Sequence, residues 1–149
     1  MNKTVITKKL NIYDTLLKLS RSRAVNITFI IRQVAKEIKA LKAVIKQLSG
    51  QILTLNAIIN GEDKANLITQ DIKLQYSLVN VRRQKLLVMH KEKLDLLKKH
   101  YDQQLIELKK EKVIQASILN KKRNIKKLIL QMYENIELNE LEDRHASLR

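Results

Sequence analysis

A chain of 149 residues with no proline, two glycines and no cysteine has little to interrupt a helix, and can form neither a disulfide nor a thiolate metal site. Its net charge of +15, from 30 Lys and Arg against 15 Asp and Glu, directs attention to acidic proteins, nucleic acids and anionic surfaces. Lysine outnumbers arginine 22 to 8, which argues against nucleic acid as the main partner, because arginine is the better bidentate phosphate ligand. The apolar residues are mostly Leu, Ile, Val and Ala, and Phe29, Tyr13, Tyr76, Tyr101 and Tyr133 are the only aromatics. So few large rings predict a thin, elongated core.

The first residues, Met1 to Thr7, read as a short frayed lead without the apolar core of a signal peptide. No stretch approaches the ~20 apolar residues that span a bilayer. A cytoplasmic protein is the expectation. From Lys8 the pattern Leu10, Tyr13, Leu16 and Leu17 opens an amphipathic helix. Ser20-Arg21-Ser22-Arg23 interrupts the apolar stripe without breaking the helix. The stripe returns at Ile27, Phe29, Ile30 and Ile31.

Residues 34–59 then carry a regular heptad. Ile38, Ile45, Ile52 and Ile59 fill one core position, and Val34, Leu41, Leu48 and Leu55 fill the other. Steps alternating four and three average 3.5 residues, so one narrow stripe stays turned toward a partner helix. The opposite face is small and basic, with Lys36, Lys39, Ala40, Ala43, Lys46, Gly50 and Ala57. Good helix propensity accounts for the alanines.

Asn60-Gly61-Glu62-Asp63 reads as a turn, with Gly61 free to take the left-handed conformation that ends a helix. A second helical pattern follows. Leu67, Leu74, Val81 and Val88 recur every seven residues, with Leu78 between them. The phase then slips to Leu87, Leu94, Tyr101 and Leu108, flanked by Leu97 and Leu105. A further shift gives Ile118, Ile125 and Met132, with Leu128, Ile129 and Ile136 nearby. Lys85, His90 and Gln104 fall at core phase as polar register markers.

The fold expected is all-α: an elongated two-helix antiparallel coiled-coil hairpin with its tip near Gly61. Its arms run over 8–60 and 64–144 about a 60–63 tip, in a single domain. At ~1.5 Å per residue an arm of that length makes a rod of about 80 Å. The longer second arm leaves a single-helix extension over 121–144. There a basic block (Lys121, Lys122, Arg123, Lys126 and Lys127) gives way to an acidic one (Glu134, Glu137, Glu140, Glu142 and Asp143).

No catalytic constellation emerges. Gly50 and Gly61 stand alone, so no phosphate-cradling loop forms. His90, His100 and His145 are too scattered for a metal cluster, and HExxH is absent. No cofactor, metal or small-molecule substrate is expected.

The 34–59 heptads, the Asn60–Asp63 tip, the run Val79-Asn80-Val81-Arg82-Arg83-Gln84 and the stretch 129–137 before an acidic tail carry a family resemblance. The chain resembles the central-stalk proteins of bacterial type III secretion ATPases: flagellar FliJ and the injectisome InvI, SpaM and YscO group. The resemblance implies a non-enzymatic stalk that couples a hexameric secretion ATPase to the export-gate protein. In that family the open end of the hairpin, with both termini, enters the ATPase, and some members also bind export chaperones. The charge pattern nominates Arg21, Arg23, Lys121, Lys122, Arg123, Lys126 and Lys127 for the ATPase contact. An antiparallel hairpin carries both basic stretches toward one end. A coiled-coil adaptor or scaffold, homodimeric through the Ile/Leu seam, is the alternative; a basic coiled coil that binds nucleic acid is a third.

Overall fold

The computed structural model describes residues 3–61 and 69–148. Nearly all of them lie in two α-helices, α1 (Lys3–Ile59) and α2 (Gln70–Ser147), with no strand among the described residues. The helices pack against each other as an all-α hairpin. Contacts divide the chain into two compact units, Met1–Thr28 with Glu107–Arg149 (unit 1) and Phe29–Ile106 (unit 2).

Helix α1 starts at Lys3 rather than Lys8. Ile6 is buried, so the first turns have an apolar contact to hold them. At the other end Asn60 N–H donates to Asn56 O (2.9 Å) and Gly61 N–H to Ile58 O (3.2 Å). Gly61 has φ 70°, the left-handed conformation that only glycine takes freely. Residues 62–68 lie outside the described residues, and with them the expected start of the second arm near Lys64 and the first heptad residue, Leu67. Helix α2 opens at a capping threonine. Thr69 Oγ1 accepts from Ile72 N–H at 3.4 Å, and Lys73 N–H donates to Thr69 O at 3.0 Å. Asp71 in the first turn and Arg144 and His145 in the last suit the helix dipole.

In unit 2 the heptads of α1 form the seam. Val34, Leu41, Leu48, Ile52 and Leu55 are buried, and Ile38, Ile45 and Ile59 are half-buried. The small face opposite is open: a Cβ on Gly50 would meet nothing within 4 Å. The α2 side departs from the expected phase. Leu74, Leu78, Val81 and Val88 are exposed, Leu74 by 62%. Tyr76, Asn80 and Arg83 take the buried or half-buried places there, while Leu87, His90, Leu94, Leu97, Tyr101 and Gln104 are half-buried as expected.

Their steps alternate four and three without a slip, and so do those of Leu108, Glu111, Gln115, Ile118, Lys122, Ile125, Ile129 and Met132 in unit 1. The two phase shifts read from the sequence are therefore absent. One unbroken repeat passes through polar residues. A continuous helix can turn only one such stripe toward α1. The Leu87–Met132 stripe holds apolar residues over many more turns than Leu74–Val88, so it wins the contact. Of the expected polar markers, His90 and Gln104 lie in the seam and Lys85 is exposed.

Asn80 is buried in unit 2, and its Nδ2 donates to Asn56 Oδ1 at 2.5 Å. Asn80 Oδ1 is buried without a partner. Leaving it so costs on the order of 1–3 kcal/mol.

Two expected outcomes follow from this packing. The chain has no cysteine, so Asn56→Cys with Asn80→Cys should oxidise to a disulfide within one chain, seen as a mobility shift on non-reducing gels. Cross-links forming only between chains would overturn the pairing. Leu41→Asp should cost several kcal/mol by placing a charge in the seam, whereas Ala43→Asp, on the exposed face, should change the melting temperature little. Circular dichroism melts compare them directly.

Candidate interaction surface

The nominated basic residues all belong to unit 1, and the structure treats them unequally. Arg21, Lys121, Arg123, Lys126 and Lys127 are exposed. Lys122 is not a free surface cation. It points into the seam, its side chain only 19% exposed, and donates to the Asp14 carboxylate of α1. That ammonium holds the Asp14 carboxyl below the usual carboxylate range. Lys126 and Lys18 add attraction, and partial desolvation opposes them. Asp14 therefore keeps its charge, and the pair, to lower pH than a free aspartate would. Lys18 belongs to this basic cluster and was not singled out from the sequence. The signal available was its position four residues after Asp14 on the same helix.

Arg23 has a different neighbour. Its Nη1 lies 3.8 Å from Glu111 Oε1, with 58% of its own side chain exposed. The carboxylate is only 11% exposed, and at this separation the contact is a loose ion pair rather than a hydrogen bond. The other oxygen of Glu111, Oε2, accepts from Ser20 Oγ at 2.7 Å, and Ser20 is fully buried. The serine expected to leave a gap in the stripe thus occupies it, hydrogen-bonded to a buried carboxylate. The two basic stretches do not merge. Arg23 sits across from Glu111 and Asp14 across from Lys122, eleven residues farther along α2, or ~16 Å at 1.5 Å per residue.

The expected unpaired extension is also shorter than 121–144. Ile125 is buried, and Ile129, Met132, Tyr133 and Ile136 line an apolar groove of about 310 Å³ with Lys3, Ile6 and Thr7. The five additional residues at the start of α1 supply that partner. From Glu137 to Ser147 every residue of α2 is exposed. Among the described residues no cluster of three or more His, Asp or Glu could hold a metal ion, and no helix is long and apolar enough to cross a membrane.

The chain matches no protein-family model, and no match is found among curated proteins or solved structures.

Ser20→Ala should lower stability by about 1 kcal/mol, because the buried Glu111 carboxylate loses its hydroxyl donor. Pairing it with Glu111→Leu should recover that loss or exceed it, since a well-packed apolar residue replaces a buried charge. Urea unfolding of the three proteins checks the order. A double variant less stable than Ser20→Ala alone would show that the polar pair contributes more than its replacement.

Proposed function

We propose that this chain is a non-enzymatic stalk of a bacterial type III secretion ATPase, acting in the cytoplasm to couple the hexameric ATPase to the export gate. The observation that carries the reading is the architecture: two long helices paired through a heptad seam, the form that the family resemblance in the sequence implies. The exposed cations of unit 1 add to it. Arg21, Lys121 and Lys127 face solvent without an ion-pair partner among the described residues, on the unit that holds both ends of the chain. Acidic loops around an ATPase pore would attract such a surface and speed encounter more than they tighten the complex.

A second reading has its own observation. Leu74, Leu78, Val81 and Val88 keep helical spacing yet face outward, as expected of a coiled-coil adaptor with a further helix to bind. Binding of a partner helix that Val81→Asp abolishes, with no effect of the chain on the ATPase, would favour the adaptor.

The test of the stalk reading avoids Lys122, whose reversal would break the Asp14 pair. Arg21→Glu with Lys121→Glu and Lys127→Glu should slow association with the hexameric secretion ATPase by about tenfold or more and reduce its stimulated hydrolysis. Helicity should be unchanged. Lys36→Glu with Lys39→Glu should do much less. Unchanged stimulation by the folded triple variant would overturn the assignment of this surface.

A further inference from the structure

One exposed face of α2 in unit 1 reads the same from either direction with the charges reversed. Leu130 is its centre and is 62% exposed. Four residues to either side stand Lys126 and Glu134. Seven to either side stand Arg123 and Glu137. Eleven to either side stand Leu119 and Leu141. All of these side chains are exposed. Eleven residues make three turns at about 3.67 per turn, close to the 3.6 of a straight helix, so the set forms one stripe along the rod of α2. The stripe is separate from the face that α1 covers, which carries Ile118, Lys122, Ile125, Ile129 and Met132.

The charges on this stripe are badly placed for their own helix. Residues three and four apart are neighbours, and there Arg123 meets Lys126 and Lys127, while Glu134 meets Glu137. Each such like-charge contact is destabilising in an isolated helix. None of the four charges makes an ion pair within the chain among the described residues. Lys126 does lend Asp14 some attraction, but Lys122 is the residue bonded to it.

We propose that this stripe is a self-association surface, occupied by the same stripe of a second copy of the chain running antiparallel. A twofold axis at Leu130 sets residues equally distant from it opposite one another. Lys126 then faces the partner's Glu134, Arg123 faces the partner's Glu137, and Leu119 faces the partner's Leu141. Every pair occurs twice, and the two Leu130 side chains meet on the axis. That is the isologous, self-complementary contact of a closed dimer. Parallel pairing would instead stack like charge on like charge. The overall +15 does not forbid the dimer, because the contact joins a basic block to an acidic one and more distant charges are screened beyond ~8 Å at physiological salt. Arg123 and Lys126 are also among the cations nominated for the ATPase contact, but the test of the stalk reading changes Arg21, Lys121 and Lys127, which are outside the stripe, so the two readings fail separately.

Charge swaps on the full chain test it by sedimentation equilibrium, with circular dichroism to establish that each variant is folded. The native chain should form dimers. Glu134→Lys with Glu137→Lys makes the stripe wholly cationic, and Arg123→Glu with Lys126→Glu makes it wholly anionic. Each variant alone should associate about tenfold or more weakly than the native chain. An equimolar mixture of the two should dimerise again, since every cation then faces a carboxylate. A native chain that stays monomeric overturns the proposal. So does a dimer that neither variant weakens, or a mixture that fails to restore association. Vesicles of phosphatidylserine and phosphatidylcholine separate the remaining possibility. Monomeric native chain that binds them, and loses binding with Arg123→Glu and Lys126→Glu, would make the basic half a membrane-surface contact instead.

Discussion

A helix can offer only one stripe to a single antiparallel partner, and the molecule follows from how α2 meets that constraint. Its apolar residues fall into two competing phases. The stripe that faces α1 serves most of the helix well and its beginning poorly. The result in unit 2 is a seam that accepts Asn80, Arg83 and His90 while Leu74, Leu78, Val81 and Val88 face water. The cost falls on α2 alone. On α1 the Ile and Leu repeat is regular, and its core positions are buried or half-buried.

This asymmetry explains what was legible in the sequence. The α1 heptads and the left-handed Gly61 were readable because local geometry fixes them: spacing sets the face and a missing Cβ permits the turn. The seam of α2 was readable where Leu87, Leu94, Tyr101, Ile118, Ile125 and Met132 mark it, but not at its beginning, where Leu74, Leu78 and Val81 pointed to another phase. Local apolar density favoured Leu74, Leu78 and Val81, whereas packing follows the phase sustained over many turns. Ser20 shows the same limit. As one of two serines in a basic stretch it looked like a gap, and only the presence of Glu111 across the seam makes it a core residue.

The basic residues show how pairing changes the meaning of charge. Seven cations looked equivalent in sequence. Lys122 is anchored to Asp14, Arg23 leans toward Glu111, and the remainder are open to solvent. Their exposure leaves them available to other molecules. The abrupt change of sign along α2, which could have been mere solvation, acquires geometric content once the seam is known. The seam identifies which side of the helix is already occupied.

The polar contacts inside the seams have a consequence for alignment. A heptad repeat is nearly degenerate under translation: slide one helix by seven residues and Ile and Leu meet Ile and Leu again. Hydrophobic burial alone scarcely distinguishes these offsets. Asn56 with Asn80, in unit 2, and Ser20 with Glu111, in unit 1, are not periodic. An offset of one repeat would break both pairs, and in one direction would set Asn56 opposite Leu87 and Ser20 opposite Ile118. In each unit the choice among near-equal alignments is therefore written in a few hydrogen-bonding atoms that contribute little to holding the helices together.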